Sequence, residues 1–372
     1  MEHQSSPEPA AMHAAWIDHA GAWPLPATAE PVALDTEFMR RNTFFPKLAL
    51  VQAACAGSTA LVDPLAYDIS ADLRTLVTGR VAIMHSASED LEALTPLLGD
   101  VTLQLFDTQI AAALCGMGAG LSYQKLVASV LGIDIPKDET RSDWLQRPLT
   151  AGQLEYAAQD VAHLAGLHDF LAAELARRGR SAWHAEDCAR LVARAQEHHA
   201  TIDSQPQRSL SGAADWPADA QARLRRVLQW RDAAARSLDK PRPWILDDAH
   251  ALALAHTPPA TPEELFARVR GQRALRGPQR AELLDLLQAP VSADEQAATQ
   301  PIAPAPKGAA KHAVDAMRNV VQAAATKLDL PPGLLCPRRL IEEFAVTRHW
   351  PRGLEGWRAG ILQADLMPLL PA

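Results

Sequence analysis

Two acidic residues interrupt an apolar run near the N-terminus, and their spacing suits metal chemistry. The run VALDTEF, residues 32–38, has the pattern of a strand, in which side chains alternate between two faces. Asp35 and Glu37 therefore share one face. Two buried carboxylates at such close spacing are costly unless a positive group binds them, and a divalent cation would do so. For an isolated D-x-E motif, the alternative is a solvated strand face.

A second acidic stretch, HSASEDLEAL, follows a short predicted strand. Ser86 and Glu89 have the spacing of a capping box, which leaves Asp90 available to point across the end of the sheet. The alternative for Asp90 is an acid favoured near a helix N-terminus by the helix dipole. Of the neighbouring polar residues, His85 is interpreted as a hydrogen-bonded strand-end histidine and Asp107 as the cap of the next helix.

The third acidic stretch, PLTAGQLEYAAQDVAHLAGL, predicts a helix that begins with a capping box of Thr150 and Gln153. Tyr156 and Asp160 are four residues apart and share one helical face, which in isolation is typical of a surface contact. With the three earlier acids, however, the set matches the needs of a two-metal phosphodiesterase. Carboxylate oxygens suit Mg²⁺ or Mn²⁺, and two ions about 4 Å apart can activate water and neutralise a leaving oxygen. The tyrosine would orient the water or help to deprotonate it.

The elements that must position these residues form an α/β pattern. The runs VALDTEF, KLALVQAA and TALVD, joined by short connections, predict an antiparallel meander. A helix, the strand VAIMH, a second helix and the strand TLQLF follow. The sheet is therefore expected to be mixed, and the order β-β-β-α-β-α suits a ribonuclease-H-like layout.

Bulk properties restrict the class of protein. A chain of 372 residues suggests two or three domains, and the net charge of −8 argues against coating of nucleic acid by bulk attraction. No apolar stretch predicts a signal peptide or a membrane span, so a reduced, cytoplasmic protein is expected. Wide spacing indicates buried, unpaired thiols for all four cysteines, Cys55, Cys115, Cys188 and Cys336.

The C-terminal half is predicted to be helical and locally basic. Seven Lys or Arg stand against two acids between Arg223 and Arg242, and five arginines with no acid lie between Arg268 and Arg280. Such patches suit phosphate backbones, although a solvated helix face is the alternative. Trp230 and Trp244 are expected in a core, and the alternative for both is a base-stacking platform. The Ala/Pro-rich segment 291–311 is interpreted as a linker.

Four longer stretches together resemble one family. LDTEF with its continuation RRNTFFPKLALVQ, HSASEDLEAL, FDTQIAAALCG and RSDWLQRPLTAGQLEYAAQDVAHL resemble ribonuclease D, the tyrosine subtype of the DEDD 3′ to 5′ exoribonucleases, over most of residues 28–205. The resemblance implies an α/β ribonuclease-H-like exonuclease domain with a mixed sheet, followed by two small all-α HRDC-type domains. We expect the exonuclease domain over 20–205, an HRDC domain over 212–290, the linker over 291–311 and a second HRDC-like domain over 312–372.

The resemblance also implies an activity and a site. It predicts removal of nucleotides one at a time from RNA 3′ ends, with release of nucleoside 5′-monophosphates. Precursor transfer RNA is the expected substrate, and a monomer is favoured. Position 155, which is histidine in the histidine subtype, is glutamate here. The family motifs assign catalysis to five residues, whose four acids would bind two divalent cations, Mg²⁺ or Mn²⁺: Asp35, Glu37, Asp90, Tyr156 and Asp160.

Five further residues are candidates for substrate contacts. Phe38 and Met39 follow the metal-binding strand and would pack against the terminal base or sugar, or else belong to the core. Gln52 would contact the substrate from the next strand, or else make a structural hydrogen bond. Lys137 and Arg141 would contact phosphates, although nearby acids offer ordinary ion pairs.

Three other functions remain open at this stage. A DNA-trimming exonuclease would use the same metal chemistry, since only contacts to the 2′-hydroxyl discriminate between the sugars. A non-catalytic RNA-binding scaffold would have lost part of the acidic set. A structural adaptor that works through its helical domains would need no divalent cation.

Overall fold

The computed structural model describes residues 14–26, 29–135 and 142–371. The chain divides into two compact units. The first contains the chain up to Met39 together with Lys47–Gln196, and the second contains Arg40–Pro46 together with the chain from Glu197 onward. The short segment Arg40–Pro46 thus interrupts the first unit and packs with the second.

A six-stranded mixed sheet forms the centre of the first unit, in the order β1-β4-β3-β2-β5-β6. The predicted antiparallel meander is confirmed as β2, β3 and β4, whereas β1 pairs parallel to β4 at the edge and was not predicted. The strands β5 and β6 add in parallel beside β2. The strands are β1 Ala14–Ile17, β2 Val32–Met39, β3 Lys47–Cys55, β4 Ser58–Val62, β5 Val81–Met84 and β6 Gln104–Asp107.

Alternation along β2 sends its side chains to two different environments. Leu34 pairs with Ala53 and belongs to a large core on one face of the sheet, together with Val51. On the other face, Asp35 pairs with Gln52. Because directly paired residues of antiparallel strands lie on the same face, this second face carries the polar group. The pairing shifts between Glu37 and Phe38, so the regular alternation ends directly after the second acid.

Seven helices among the described residues complete the first unit. The first two pack on the apolar face, where leucines of both helices belong to its core. The fifth packs on the opposite face against β2, β3 and β4. The helices are α1 Ser70–Val77, α2 Ser88–Leu98, α3 Thr108–Leu114, α4 Tyr123–Leu131, α5 Ala151–Ala162, α6 Leu164–Arg177 and α7 Ser181–Ala200.

The two predicted capping boxes have different outcomes. The box of Thr150 and Gln153 at the start of α5 is confirmed, because each side chain accepts a hydrogen bond from the backbone of the other. The box of Ser86 and Glu89 is wrong, since α2 begins at Ser88 without a side-chain cap and Ser86 has a left-handed φ of 60°.

The start of α2 is instead held by Asp107, which lies 20 residues after Ala87 in the chain. Its carboxylate accepts the backbone N–H groups of Ser86 and Ala87 before α2, at 3.3 and 2.9 Å. As the sequence predicted, it also caps α3, where it accepts two backbone N–H groups, those of Gln109 and Ile110. One buried carboxylate therefore joins the starts of two helices at the end of β6.

The second unit is helical. Its core contains Leu224, Val227, Leu254 and Leu283, and Phe44 of the Arg40–Pro46 segment is buried in the same core. The helices are α8 Ala218–Leu238, α9 Arg242–Ile245, α10 Asp248–His256, α11 Pro262–Arg268, α12 Gly277–Gln288, α13 Ala293–Ala298, α14 Ala309–Lys327, α15 Pro332–Leu335, α16 Arg338–Thr347 and α17 Trp357–Leu366, with 3₁₀ turns at Pro206–Ser209, Ser211–Ala213, Arg352–Leu354 and Met367–Leu369.

The segment 291–311, which composition alone marks as a linker, is attached to α8. It contains α13, and Glu295 on that helix forms an ion pair with Arg226. Beyond α13, Ile302 is buried in the core and its backbone N–H donates to Gln221 at 2.9 Å. At least this first part of the segment is therefore not a free tether.

The state of the cysteines and the character of the helices bear on the class of protein. All four cysteines are buried and unpaired, as predicted. Burial raises the pKa of the Cys188 thiol to about 12, so it is an unreactive thiol at neutral pH. Among the described residues, none of the helices has the length and apolar character that crossing a bilayer requires.

Candidate active site

Three predicted metal ligands come from two different elements and converge. Carboxylate oxygens of Asp35 and Glu37 on β2 and of Asp160 on α5 lie within 4.8 Å of one another. Strand alternation places the first two on the face that α5 covers, and the packing of α5 on β2 brings in the third. Asp160 lies more than a hundred residues after Asp35 and Glu37 in the chain, yet the three carboxylates share one small volume.

Asp90 approaches the same strand from its other face and is not part of that close group. Its carboxylate accepts a hydrogen bond of 2.5 Å from the hydroxyl of Thr36, the residue between Asp35 and Glu37. The negative charge of Asp90 also raises the pKa values of Asp35, Glu37 and Asp160, so it belongs to the same electrostatic cluster. Thr36 was missed by sequence reasoning, because its position points it away from the acids.

Tyr156 lies beside Asp160 on α5, as their spacing predicted. The tyrosine hydroxyl hydrogen-bonds to the Asp160 carboxylate. The tyrosine ring packs against Trp144, with ring centroids 6.1 Å apart. The hydroxyl is thus held at the edge of the acidic cluster while the ring is anchored in the apolar layer beneath α5.

Two residues without any local sequence signal position α5. Arg147 donates to both oxygens of Asp63 at 2.7 Å and to the carbonyl of Ala49 at 2.6 Å, which fixes the segment before the helix on the sheet. Near the other end of α5, the hydroxyl of Tyr123 donates to the carbonyl of Gln159 and accepts the N–H of His163. Both contacts join residues far apart in sequence, so no spacing rule could reveal them.

The acids raise one another's pKa values. Burial and the neighbouring Asp160 and Asp90 carboxylates raise the pKa of Glu37 to about 8. Burial, chiefly, raises the pKa of Asp160 to about 7 and that of Asp90 to about 6. Burial and the three other acids raise the pKa of Asp35 well above its ordinary value. In the described part of the chain, none of the groups that act most on these values is a lysine or arginine.

This donor set fits a divalent cation. The cluster contains hard oxygen ligands, no lysine or arginine of the described residues is among the groups that act most on their pKa values, and the ionised form of each acid is disfavoured in the protein by itself. A bound cation would reverse that preference, since it stabilises the carboxylates. Carboxylate-only sites of this kind suit Mg²⁺ or Mn²⁺ rather than zinc or copper. Of the four acids predicted as ligands, the structure brings three together where they would hold it, Asp35, Glu37 and Asp160, whereas Asp90 lies outside that close group.

Three of the five candidate substrate contacts lie within the described residues: Phe38, Met39 and Gln52. Phe38 and Met39 are half-buried at the end of β2 and belong to none of the cores found among the described residues. Gln52 is fully buried opposite Asp35, and within the described ranges neither its amide nitrogen nor its amide oxygen has a hydrogen-bond partner. The structural hydrogen bond considered for Gln52 is therefore not formed. Lys137 and Arg141 lie outside the described residues.

His85 is not placed to do chemistry. Its two ring nitrogens are within hydrogen-bond distance of the Thr108 hydroxyl, at 2.9 Å, and of the Leu121 carbonyl, at 3.0 Å. Burial lowers its pKa, so it is neutral at physiological pH. This agrees with the interpretation of His85 as a hydrogen-bonded strand-end histidine.

The basic residues of α8 are mostly engaged within the second unit. Arg226 binds Glu295 and three carbonyls, and Arg236 binds Asp232 and three carbonyls. Three more arginines of the helix donate to carbonyl oxygens: Arg223, Arg225 and Arg231. The phosphate-binding face predicted along α8 is therefore largely used for internal contacts.

The two tryptophans of the second unit differ. Trp230 is buried in its core, as predicted. Trp244 is half-buried, lies outside every core cluster of the described residues, and has the guanidinium of Arg273 at 5.3 Å from its ring centroid. The prediction of a core role for Trp244 is therefore wrong, because its short helix α9 lies at the surface and exposes part of the indole.

Comparisons with known proteins agree with this geometry. A family model described as a 3′-5′ exonuclease matches residues 19–176, and a model of the HRDC domain matches residues 220–276. The chain is 42% identical to ribonuclease D of Xanthomonas oryzae pv. oryzae, over 92% of this chain and 93% of that protein. It is 37% identical to ribonuclease D of Pseudomonas paraeruginosa, over 88% of both proteins.

Solved structures give the same result. The crystal structure of Escherichia coli RNase D, an exoribonuclease involved in structured RNA processing, matches with a TM-score of 0.78 at 28% identity, over 92% of this chain and 93% of that one. A protein from Bifidobacterium adolescentis, at a TM-score of 0.62, 21% identity and 92% coverage of both chains, shares the fold. The architecture is therefore a ribonuclease-H-like α/β domain with a mixed sheet, followed by a helical HRDC region.

Proposed function

The chain belongs to the ribonuclease D family and is a 3′-5′ exoribonuclease, and from this premise we propose that its acidic cluster is a two-metal hydrolytic site. The observation that supports this most directly is the meeting of Asp35, Glu37 and Asp160 within 4.8 Å. The family implies divalent metal ions. The proposal adds their number, their identity as Mg²⁺ or Mn²⁺, and the release of nucleoside 5′-monophosphates one at a time from the RNA 3′ end.

In this proposal the four acids bind the metal and Tyr156 orients the attacking water. Divalent cations held there would supply a Lewis acid for the phosphate oxygens and lower the pKa of a water molecule. Burial and the surrounding carboxylates raise the pKa of Tyr156, so its hydroxyl stays protonated at neutral pH. In this role the hydroxyl is a hydrogen-bonding group that orients the attacking water. Asp160, which bonds to this hydroxyl, fixes its orientation.

The residues around the cluster would bind the last nucleotides of the strand. Phe38 and Met39 present apolar surface directly after Glu37, where a base or a sugar can pack. Gln52 offers a buried amide beside Asp35 with unused hydrogen-bonding capacity, and such an unsatisfied group is costly unless a ligand or water binds it. Lys137 and Arg141 are retained as proposed phosphate contacts.

The proposed biological substrate is a 3′-extended transfer RNA precursor. The Escherichia coli relative is an exoribonuclease involved in structured RNA processing, which supports a substrate with a folded body and a free end. A cleft of carboxylates accepts one unpaired strand, since pairing would hold the last phosphodiester away from the metal. We also propose an exonuclease domain over 20–205, an HRDC domain over 212–290 and a second HRDC-like domain over 312–372, joined through the segment 291–311 that packs on α8. The enzyme is proposed to be monomeric and cytoplasmic.

The decisive experiment combines one substitution with product analysis. Asp160→Asn removes one charge and one ligand from the cluster, so trimming of a 3′-extended transfer RNA should fall at least about 10³-fold, while affinity for the RNA in EDTA stays within about twofold. Wild-type protein with Mg²⁺ or Mn²⁺ should release 5′-monophosphates. Near wild-type turnover of the variant would show that the metal site is assigned to the wrong residues.

A matched control and a matched substrate make this test specific. Asp100→Asn removes an exposed acid of the same unit that does not belong to the cluster, and should trim at the wild-type rate. Trimming of a DNA strand of the same sequence measures discrimination between the sugars. Digestion that continues in excess EDTA would contradict the metal requirement.

A further inference from the structure

A cavity of about 590 Å³ lies in the second unit, at its basic surface. Its walls come from the Arg40–Pro46 segment, from α8 and from the start of α9. The size is in the range of small-ligand sites and suits a single nucleotide. Its lining includes Arg40, Arg41, Phe44, Arg231, Arg242 and Trp244.

The cavity is built and not a chance depression. Its floor is Phe44, a core residue whose ring has the guanidinium of Arg242 at 4.6 Å and that of Arg236 at 4.8 Å. The backbone N–H of Phe44 donates to the Asp239 carboxylate at 2.9 Å. These contacts hold the Arg40–Pro46 segment against α8, so the two arginines at the start of that segment are presented by an anchored loop.

Positive charge dominates the cavity. Four arginines line it against two aspartates, and both acids already have partners. Asp248 pairs with Arg231 at 2.6 Å, and Asp247 pairs with His250 at 2.7 Å. Arg242 pairs in turn with Asp232, so the positive charge that remains available to an anion is centred on Arg41.

Two of the arginines have unused hydrogen-bonding capacity. Arg41 is exposed, and its side chain makes no hydrogen bond or ion pair with any residue the structure describes. Arg231 keeps only 12% of its side chain exposed, yet its Nε is buried without a partner among the described residues. A desolvated guanidinium donor without an acceptor is costly, and a phosphate oxygen is the acceptor that best matches its charge.

Trp244 supplies the second half of the chemistry. Its half-buried indole lines the cavity and is not part of a core, so part of the ring surface is open to a ligand. Arg273, from the acid-free run Arg268–Arg280, packs on this indole. In the same run the side chains of Arg270 and Arg276 have no partner within the described residues, which continues the positive surface beyond the tryptophan.

We propose that this cavity is a binding subsite for a single-stranded nucleotide of the RNA, with its phosphate on the arginines and its base stacked on Trp244. An aromatic ring next to guanidinium groups is the combination by which proteins hold unpaired strands, since every base has a π-face and every nucleotide a phosphate. The inference rests on the proposed function for the identity of the strand. It assigns substrate binding to a defined pocket and not to a general basic face.

The experiment measures RNA binding in the full-length chain with the Asp160→Asn substitution, in EDTA, so that the probe is not degraded. A fluorescently labelled single-stranded RNA oligonucleotide is titrated at several salt concentrations. Arg41→Glu and Trp244→Ala should each weaken binding by about 5-fold or more, whereas Trp244→Phe should retain most of the affinity. The Arg41 substitution should also reduce the slope of log affinity against log salt by about 1.

Controls separate the pocket from bulk charge and from catalysis. Arg194→Glu makes the same charge change at an exposed position of the first unit and should leave the affinity unchanged. Equal weakening by Arg194→Glu, or wild-type affinity of Trp244→Ala, would overturn the proposal. Failure of the catalytic proposal would appear elsewhere, as trimming by the Asp160→Asn protein.

Discussion

At the scale of the residue, function depends on carboxylates that are costly to bury together. Asp35 and Glu37 share a strand face, and Asp160 reaches them from α5. The protein does not offset their charge with a lysine or an arginine in its described part, so their pKa values rise. The uncompensated carboxylates therefore destabilise the fold when they are ionised, and they suit a bound cation.

The first prediction concerns the Tyr156 hydroxyl. Tyr156→Phe keeps the ring that packs on Trp144 and removes only the group that bonds to Asp160. We expect kcat to fall about 10²-fold with little change in RNA affinity, because orientation of the attacking water is lost and binding is not. Single-turnover kinetics with Mg²⁺ measure this. A loss as large as that of Asp160→Asn would indicate instead that the hydroxyl is needed for metal binding.

The second prediction concerns pH and metal together. Because the pKa values of Asp90, Asp160 and Glu37 are raised to about 6, 7 and 8, the folded protein holds more protons than the unfolded chain at intermediate pH. The stability contributed by these neutral acids is therefore lost as pH rises from about 4 to 8 in EDTA. A cation favours the ionised acids, so the increase in the unfolding temperature on adding Mg²⁺ should be larger at high pH.

Thermal unfolding in EDTA and in excess Mg²⁺ across this range provides the measurement. Saturating metal at about 100 times its Kd adds about 2.7 kcal/mol to the free energy of unfolding. Asp160→Asn removes one of the titrating acids and should flatten the dependence on pH. A metal-free protein that becomes more stable between pH 5 and 8, or a pH-independent effect of Mg²⁺, would contradict the electrostatic account.

At the scale of the element, the hairpin that carries two metal ligands also contributes to the second unit. The connection between β2 and β3 is Arg40–Pro46, and Phe44 within it is buried in the helical core. Stability of the helical half is thus partly encoded in the N-terminal half of the sequence. Segment 291–311 shows the same principle, because Glu295 and Ile302 attach it to α8.

Phe44→Ala tests this arrangement. Removal of a buried aromatic side chain creates a cavity between two guanidinium groups, and we expect the second unit to lose about 3 to 5 kcal/mol of stability. Hydrogen exchange of α8 amides should accelerate accordingly. Phe45→Ala is the matched control, since Phe45 is only half-buried at the edge of the core and should cost less. Equal exchange in both variants would argue against a structural role for Phe44.

At the scale of the whole molecule, the net charge and the local charges of the surface differ in sign. The net charge is −8, yet the described residues include a cavity with four arginines and a following arginine-rich run. The acids are concentrated in the metal cluster, which suits cations. The arginines are concentrated in the second unit, which suits phosphates. A protein with this distribution binds RNA through local patches, and its affinity should fall as salt rises.

Deletion of residues 212–372 tests the division of labour. The fragment should lose catalytic efficiency, as kcat/KM, on both substrates because the nucleotide subsite is removed, and it should lose more on 3′-extended transfer RNA than on a short single strand, because the helical region is also proposed to bind the folded body. It should also aggregate more readily, since the deletion removes the core that buries Phe44. Replacing Phe44 and Phe45 with serine in the fragment should improve its solubility. Equal losses on both substrates would count against docking by the helical region.

The sequence by itself determined the features that depend on short spacings. Alternation along VALDTEF, the four-residue interval from Tyr156 to Asp160 and the capping box of Thr150 and Gln153 are each properties of one strand or one helix. The three-stranded meander follows from short connections in the same way. Motif resemblance then identified the family, because its motifs extend over most of the first half of the chain.

Tertiary structure decided what depends on contacts between distant residues. It brought Asp160 to Asp35 and Glu37, replaced the expected cap at Ser86 with Asp107, and placed Phe44 in the helical core. It also decided which arginines bind carbonyl groups and which remain available. The physical reason is that pairing, burial and desolvation are properties of neighbours in space, and residues more than a hundred positions apart carry no local signal of one another.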